Sequence, residues 1–421
     1  MDCARFITEV SGRRKTSMLR KTTNDFLERP NSINLANGMP NITTFPFEEI
    51  SVTYKNGEKV KLVGDELSCS LQYGSSQGYK PLLKKIREHQ KYWYEPKYTK
   101  WDVIVTSGSS DGCSMVFDMV VEPGDPIMIQ EPVYNGTLSV LGPITSKLIG
   151  IPQDQNGIIP EEITKVLEER LRNKESMPKV LYVNPIGANP TGTVLPESRK
   201  KRIYELAQIY DFLIVEDDPY YFINFLDERS KTFLEYDTDG RVIRLDSFSK
   251  ILSAGLRIGV VTAHEEFIKK LVMHNETTCI HPSSLSQMLV YKFLDMWDTQ
   301  KLQQHFGDIQ RFYRERRDIA LASIQKHLTG LVEWNVPHGG MFIWMRVIDL
   351  EDVMEIAVKK CVSKGIFILP GHAFVLNPTK PEQHLRISYS YSTSEEIEKA
   401  ISVLARVIRE EIKEKSRNKS H

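Results

Sequence analysis

A lysine that lies close to hydroxyl side chains and an arginine is the strongest chemical signal in the chain. The segment Leu245–Lys250 reads L-D-S-F-S-K, and Arg257 follows it seven residues later. A lysine amine can form a Schiff base with an aldehyde, and Ser247, Ser249 and Arg257 can neutralise a phosphate. An aldehyde and a phosphate on one molecule favour pyridoxal phosphate as the cofactor. For this segment alone, a surface lysine at the end of a strand is the alternative.

Two polar motifs upstream offer partners for the ring of such a cofactor. Asn189 follows the apolar run 180–183, and its amide can donate to a phenolate oxygen. Asp217 follows the apolar run 212–215 and can pair with a pyridine nitrogen, which makes the ring an acceptor of electrons. Tyr220 can reach the same phenolate oxygen as Asn189. A plain turn and a strand end with solvated acids are the alternatives.

A strand followed by small hydroxyl residues predicts a site for the phosphate. After the apolar run 103–105 the chain reads T-S-G-S-S-D-G, which is typical of a helix start with free backbone N–H groups. Ser109 and Ser110 are the expected phosphate ligands there, although a plain N-cap serine explains one of them. Tyr134, in E-P-V-Y, can lie on the pyridine face, or it can belong to the core as most aromatic side chains beside strands do.

In chain order, these motifs resemble those of fold-type I aminotransferases of the aspartate aminotransferase superfamily. The pattern comprises Tyr73, S-G-S-S, E-P-V-Y, N-P-T-G, D-D-P-Y-Y, S-F-S-K, G-L-R-I-G and a late L-R-I-S at 385–388. Within this superfamily the chain is most similar to the kynurenine/2-aminoadipate aminotransferase group, through its opening A-R-F-I-T and the segments 41–47, 241–259 and 334–344. The resemblance therefore extends almost from end to end.

The resemblance implies a role for each motif. It implies Lys250 as the Schiff-base lysine and proton carrier, Asp217 at the pyridine nitrogen, Asn189 and Tyr220 at the phenolate oxygen, Tyr134 on the ring, and Ser109, Ser110, Ser247, Ser249 and Arg257 at the phosphate. Tyr73 is expected to reach in from the neighbouring subunit of a homodimer. Arg386 is expected to grip the substrate α-carboxylate as a bidentate fork, with Asn189, Arg20 and Gly38 also on the substrate side.

The implied reaction is transamination of an L-amino acid by pyridoxal phosphate. The implied donor is 2-aminoadipate, kynurenine or a related amino acid, with 2-oxoglutarate as the acceptor. Asn37, Ser110 and Ile186 depart from the group's usual residues, which leaves the preferred donor open. A cysteine-conjugate β-lyase that uses the same cofactor is one alternative, and a non-catalytic aminotransferase-like domain is another.

Composition limits the classes of partner and the compartment. The 421 residues carry no formal net charge and their basic residues are dispersed, so nucleic acid is not expected. The five cysteines lie far apart with no CxxC pair, which indicates a reducing compartment and no metal site. We expect no membrane span, because no apolar run approaches ~20 residues. The basic first twenty residues leave the cytoplasm and the mitochondrial matrix both open.

The hydrophobic pattern predicts an α/β fold. Apolar runs, separated in several places by helical stretches, occur at 102–106, 126–130, 180–184, 212–216, 242–246 and 258–262. This alternation favours a mostly parallel sheet covered by helices, with the cofactor motifs at the carboxyl ends of its strands. The resemblance implies the fold-type I transferase architecture, with a sheet of the seven-stranded type and a small α+β domain. The predicted boundaries are 1–47 for an N-terminal arm with part of the small domain, 48–305 for the large domain and 306–421 for the small domain.

Overall fold

The computed structural model describes residues 1–29, 31–145 and 147–419. The α-helices are α1 (Glu9–Arg13), α2 (Met18–Glu28), α3 (Gly64–Leu71), α4 (Lys80–Trp93), α5 (Ser109–Val120), α6 (Asn135–Leu141), α7 (Pro160–Arg172), α8 (Glu197–Tyr210), α9 (Glu265–Thr278), α10 (Ser284–Met296), α11 (Thr299–Leu328) and α12 (Ser394–Lys419). The strands are β1 (Ile50–Thr53), β2 (Lys59–Leu62), β3 (Trp101–Thr106), β4 (Ile127–Glu131), β5 (Leu148–Asp154), β6 (Gly157–Ile158), β7 (Val180–Val183), β8 (Leu213–Asp217), β9 (Val242–Ser247), β10 (Gly259–His264), β11 (Val332–Trp334), β12 (Phe342–Val347), β13 (Leu369–Pro370) and β14 (His384–Ser388). Short 3₁₀ helices span Cys3–Phe6, Ile42–Thr44, Phe233–Glu235, Ala254–Leu256, Val362–Lys364 and Gly371–Phe374, and one π-helical segment spans Ile356–Cys361.

The chain forms two compact units, each made of two separate stretches. The first unit contains residues 1–122 and 232–302, and the second contains 123–231 together with the chain from 303 onward. This division groups residues by their contacts. The arm and the large and small domains predicted above stay a prediction, and the end of the predicted small domain, residues 420–421, lies outside the described residues.

In the first unit, three strands carry the turns that hold its polar residues. They lie in the order β3, β10, β9, and β10 is antiparallel to both neighbours. The interior of β3 is fully buried because its apolar residues are covered by α4, α5 and α9. Helix α5 begins three residues after β3 ends, so the small polar residues between them lie at the end of the strand.

In the second unit, strands β8, β7, β4 and β5 lie side by side and run parallel, and the two-residue β6 is antiparallel to β5. Every residue of β7 and β8 is buried, as expected for strands covered on both faces. Among the described residues these five strands and the three of the first unit make eight, one more than the predicted seven-stranded type; β6 is the shortest of them.

The second unit also contains a small antiparallel sheet with its own core. Its strand order is β11, β12, β14, β13. Apolar side chains of α11 and α12 pack against this sheet, among them Ile324, Ile401 and Leu404. The helices bury one stripe each because their apolar residues recur at helical spacing. The pairing of β12 with β14 places Trp344 opposite Arg386.

Candidate active site

A helix start and an arginine come together in the first unit. Helix α5 begins at Ser109, and its N-cap residue Gly108 provides no side-chain cap. Arg257 has a left-handed backbone with φ of 54° at the end of a short 3₁₀ helix. Its Nη2 donates to the carbonyl of Ser107 at 3.2 Å, and its Nη1 donates to Ser249 Oγ at 3.4 Å. The guanidinium thus links the start of α5 to the turn after β9.

Two glycines make this approach possible. Gly108 has φ of +91°, and a Cβ built there would collide with Arg257 Nη2. A Cβ at Gly259 would lie 2.6 Å from the backbone nitrogen of Ser109. Only residues without a side chain let the guanidinium and β10 come this close to the helix start. Free N–H groups beside a guanidinium form a cradle of the right charge and size for a phosphate.

Lys250 lies half-buried in the turn that follows β9. In the same turn, the backbone N–H of Ser249 donates to Ser247 Oγ at 3.1 Å. Burial lowers the pKa of the Lys250 amine below its usual value, and the positive charge of Arg257 lowers it further. Within the part of the chain that the structure describes, this amine has no hydrogen-bond or ion-pair partner. An amine that is easily deprotonated is suited to attack an aldehyde.

A buried polar cluster occupies the ends of β7 and β8 in the second unit. Asp217 is only 8% exposed, and its Oδ2 accepts a hydrogen bond of 2.6 Å from Tyr182 Oη. Asn184 Nδ2 donates to the carbonyl of Asp217 at 2.6 Å, and Asn184 Oδ1 accepts from the N–H of Asn189 at 2.8 Å. Because β7 and β8 pair in parallel, both motifs end at the same edge of the sheet. Asn184 therefore ties the two motifs together.

Arg386 joins this cluster from β14. Its Nη1 donates to Asn189 Oδ1 at 2.8 Å, which leaves the NH₂ group of Asn189 to serve as a donor. The guanidinium carbon lies 4.2 Å from the ring centre of Phe342 and 4.9 Å from that of Phe374. The buried Nε of Arg386 has no hydrogen-bond partner among the described residues, and burial lowers the pKa of Arg386. This guanidinium is thus suited to receive a carboxylate.

Two further tyrosines, Tyr220 and Tyr134, complete the predicted cofactor-binding residues of the second unit. Tyr220 is buried, and its ring lies edge-on to Phe342 with the ring centres 6.0 Å apart. Burial and the nearby Asp217 raise the pKa of Tyr220 above its usual value, so its hydroxyl stays a hydrogen-bond donor. Tyr134 is partly exposed before α6, and a Cβ at Gly136 would collide with its ring. The ring of Tyr134 therefore lies directly over the backbone of that glycine.

The other predicted residues lie in the first unit. Tyr73 is 47% exposed, with its ring edge-on to His281. Arg20, on α2, donates through Nη2 to Ser76 Oγ at 2.6 Å. Ser110 is exposed in the first turn of α5. Gly38 is exposed too, and a Cβ there would meet no atom within 4 Å.

Several residues of the site were missed by sequence reasoning. Tyr182 and Asn184 fix Asp217, and Phe342 and Phe374 flank Arg386. Tyr182 is the one polar-tipped residue of an otherwise aliphatic strand, which is a signal that a buried hydroxyl needs a partner.

Two absences concern the described residues. They contain no group of histidine, cysteine and acidic side chains arranged to hold a metal ion. None of their helices combines the length and the apolar character that crossing a membrane requires.

Comparison with known proteins identifies the family. Residues 59–404 match the family model of aminotransferase class I and II. A mitochondrial kynurenine/alpha-aminoadipate aminotransferase from Bos taurus is 40% identical over 425 residues, covering 98% of this chain and 100% of the relative. The structure of the aminotransferase Aro8 from Candida albicans superposes with a TM-score of 0.88 at 26% identity and covers 98% of this chain and 99% of that one. A kynurenine aminotransferase from Pyrococcus horikoshii, solved in complex with PMP, gives a TM-score of 0.79 at 29% identity over 97% of this chain and 98% of that one.

The chain therefore belongs to the aminotransferase class I and II family. It is an enzyme that uses pyridoxal phosphate to transaminate amino acids. The predicted family, cofactor and reaction are confirmed, and so is the fold class, with a large, mostly parallel sheet covered by helices and a small antiparallel-sheet domain. The roles of individual residues stay predictions.

Proposed function

We propose that this enzyme transfers the amino group of 2-aminoadipate, kynurenine or a related L-amino acid to 2-oxoglutarate. The donor class is that in the name of the bovine relative. The observation that carries the proposal is the cluster of buried Asp217 and Asn189 with half-buried Arg386, which combines a carboxylate for a ring nitrogen with a guanidinium for a substrate carboxylate.

Pyridoxal phosphate, when bound, supplies an aldehyde that condenses with amines and a ring that accepts an electron pair. In our proposal Asp217 holds a proton at the ring nitrogen, and Tyr182 and Asn184 keep Asp217 in place. Asn189 and Tyr220 donate hydrogen bonds to the phenolate oxygen, and Tyr134 stacks on the ring. The NH₂ of Asn189 would be available for this task because Arg386 donates to its Oδ1.

Lys250 moves the proton. With the cofactor bound, its amine would be the group that links to the aldehyde, and in its neutral form it would accept the α-proton of the amino acid and later give a proton back. The lowered pKa of Lys250 supports this role because only the unprotonated amine can accept a proton. Lys250 is thus both the anchor and the general base.

Arg386 orients both substrates. Its planar guanidinium, lying over Phe342 and Phe374, grips the α-carboxylate that the amino acid and the oxo acid share. One grip thus serves both half-reactions, and ping-pong kinetics follow. In our proposal Asn189 and Gly38 also contact the substrate, and Arg20 meets a carboxylate on the side chain of the donor. Arg20 supports a donor such as 2-aminoadipate because that molecule carries a second carboxylate.

The cofactor phosphate is held by the first unit. The ligands in this proposal are Ser109, Ser110, Ser247, Ser249 and Arg257, with the N–H groups that begin α5. Arg257 already contacts Ser249 and the carbonyl of Ser107, and Gly108 leaves room for its guanidinium. The positive helix end and the guanidinium both stabilise a phosphate dianion.

A second copy of the chain completes the enzyme in our proposal. Large apolar side chains of the N-terminal arm are exposed, with Ile33 at 88% and Leu35 at 94%. Close by in sequence, Met39 and Ile42 line a cavity of about 410 Å³ together with Tyr73. Such surfaces support a homodimer, in which Tyr73 reaches the cofactor phosphate of the neighbouring subunit. The compartment is the mitochondrial matrix or the cytoplasm; the bovine relative is named as mitochondrial.

An absorbance spectrum followed by titration with donors tests the proposal. The purified protein is expected to show the absorbance of lysine-bound pyridoxal phosphate, which converts to the pyridoxamine form on addition of 2-aminoadipate or kynurenine. Glutamate is titrated as a third donor, because 2-oxoglutarate is its oxo acid. A colourless protein that cannot be reconstituted with pyridoxal phosphate would overturn the residue assignments. Release of pyruvate and ammonia without an acceptor would indicate a β-lyase instead.

A further inference from the structure

The loop that carries Tyr73 is held in place by side chains from a distant part of the first unit. The contacts run from Ser284 Oγ to the carbonyl of Gln72 at 3.0 Å, from the N–H of Gly74 to His281 Nε2 at 3.0 Å, from Asn275 Nδ2 to the carbonyl of Ser76 at 3.1 Å and from the N–H of Tyr79 to Gln287 Oε1 at 2.7 Å. Residues 72–79 form no helix or strand apart from the turn into α4. These four contacts therefore help to fix the backbone on both sides of Tyr73.

His281 makes the contact next to Tyr73, and its partners fix its tautomer. A backbone N–H can only donate, so Nε2 must accept from Gly74. The carbonyl of Pro282 lies 2.8 Å from Nδ1 and can only accept, so Nδ1 carries the hydrogen. Both contacts exist together only in the neutral ring with its proton on Nδ1. A second proton on Nε2 would face the N–H of Gly74 and break that hydrogen bond.

The surroundings of His281 favour its neutral form. Burial lowers the pKa of the imidazole, the Pro282 carbonyl raises it, and the positive charge of Arg20 lowers it. Arg20 contacts the same region through Ser76 Oγ and the carbonyl of Ile280. The Tyr73 ring lies edge-on to the imidazole, with the ring centres 6.2 Å apart. Of the four side chains between residues 275 and 287 that contact the loop, His281 is of the residue type that titrates between about pH 5 and 8.

We propose that neutral His281 is a positioning residue for Tyr73, and that its protonation releases the loop and weakens binding of the cofactor phosphate in the neighbouring subunit. This inference rests on the proposed function, in which Tyr73 reaches across a homodimer. The direction of the pH dependence follows from the hydrogen-bond geometry of His281. The hydrogen bond from Gly74 is present at neutral and alkaline pH, and it is lost as the pH falls through the pKa of His281.

The test is the dissociation constant of pyridoxal phosphate from the apoprotein between about pH 4.5 and 8, a range that covers the usual histidine pKa of about 6.5 and the lowered values that burial produces. His281→Gln can accept from Gly74 through Oε1 but cannot take up a proton there. We expect it to bind like the native protein at pH 8 and more tightly than the native protein at the acidic end. His281→Leu should bind about three- to tenfold more weakly at pH 8, since it loses one hydrogen bond.

The decisive quantity is the dissociation constant of the native protein divided by that of His281→Gln at each pH. Titration of the cofactor phosphate and of other side chains affects both constants equally and cancels in this ratio. A ratio that is constant with pH would overturn the inference. Ser284→Ala is the matched control, since it removes a contact to the same loop that does not titrate. Its pH profile should run parallel to that of the native protein.

Tyr73→Phe separates this inference from the proposed function. If this variant binds pyridoxal phosphate like the native protein, the proposed role of Tyr73 fails, and with it the basis of the inference. If Tyr73→Phe weakens binding while His281→Leu does not, only the inference fails. If both substitutions weaken binding, the double variant Tyr73→Phe/His281→Leu should bind pyridoxal phosphate no more weakly than Tyr73→Phe alone. The reason is that both substitutions act through the same contact of Tyr73 with the phosphate.

Discussion

The two groups of candidate residues are built in different ways. In the second unit, Asp217 and Asn189 are buried and bonded to neighbouring side chains and backbone. In the first unit, Ser110 and Arg257 are exposed on turns, and their arrangement depends on glycine backbones. The protein thus fixes the second group before any ligand arrives, whereas in the first group the backbone supplies the shape, and in our proposal a phosphate supplies the missing negative charge.

The difference has a physical cause. A buried carboxylate is costly unless hydrogen bonds satisfy it, so Asp217 needs Tyr182 as its partner. An exposed guanidinium is already hydrated and needs no such partner. Substitutions in the second group should therefore affect chemistry strongly, and substitutions of the exposed Ser110 and Arg257 or of the glycines beside them should affect mainly cofactor affinity.

Replacing Lys250 should give the largest effect. Lys250→Ala is expected to lower the transamination rate by at least about 10³-fold, since the chain loses its anchor and general base. The fold should survive, with an unchanged circular dichroism spectrum and melting temperature. Lys269→Ala is the control, because Lys269 is an exposed lysine paired with Glu266. Substantial turnover by Lys250→Ala would refute the assignment.

In the second unit, Asp217→Asn should lower kcat by about 10²-fold or more while the melting temperature changes little. The amide keeps an oxygen for Tyr182 but cannot hold a proton at the ring nitrogen. Asp217→Ala should in addition destabilise the fold by about 1–3 kcal/mol, since it leaves the buried Tyr182 hydroxyl without its acceptor. Equal melting temperatures for the two variants would mean that the buried cluster is not preorganised as we describe.

In the first unit, Gly108→Ala should weaken binding of pyridoxal phosphate by about tenfold and leave kcat of the saturated enzyme nearly unchanged. The new methyl group would displace the Arg257 guanidinium and strain a backbone with φ of +91°. Equilibrium titration of the apoprotein measures the affinity. Gly57→Ala, a glycine of positive φ with open space around it, is the control for strain alone. Equal losses of affinity in both variants would argue against a phosphate site formed by Arg257 and the start of α5.

The smallest expected effect concerns the pH dependence of reconstitution. The rate at which apoprotein combines with pyridoxal phosphate should rise with pH as the Lys250 amine loses its proton. Because the pKa of Lys250 is lowered, the midpoint should lie below the usual lysine value of 10.5. Arg257→Gln removes one cause of that lowering, so its normalised profile should shift to higher pH. A shift to lower pH would contradict the electrostatic argument.

Local patterns in the sequence predicted the elements and the motifs on them. The apolar run 212–216 corresponds to β8 at Leu213–Asp217, and the run 242–246 corresponds to β9 at Val242–Ser247. These predictions succeed because a strand covered on both faces is apolar at most of its positions. The buried exceptions in β9, Arg244 and Asp246, form an ion pair with each other. Lys250 and Asp217 stand out for the same reason, since each follows such a run with chemistry that a plain strand end does not require.

Only the tertiary structure decided which groups meet. Arg386 and Asn189 are separated by 197 residues, and Arg257 and Ser107 by 150, yet each pair forms a hydrogen bond. No periodicity records such pairs, because they depend on how strands far apart in sequence lie beside one another. The need for glycine at 108 is hidden for the same reason, since the atom that excludes a side chain there belongs to Arg257. The sequence by itself thus determined the parts of this aminotransferase, and close packing between distant segments determined their geometry.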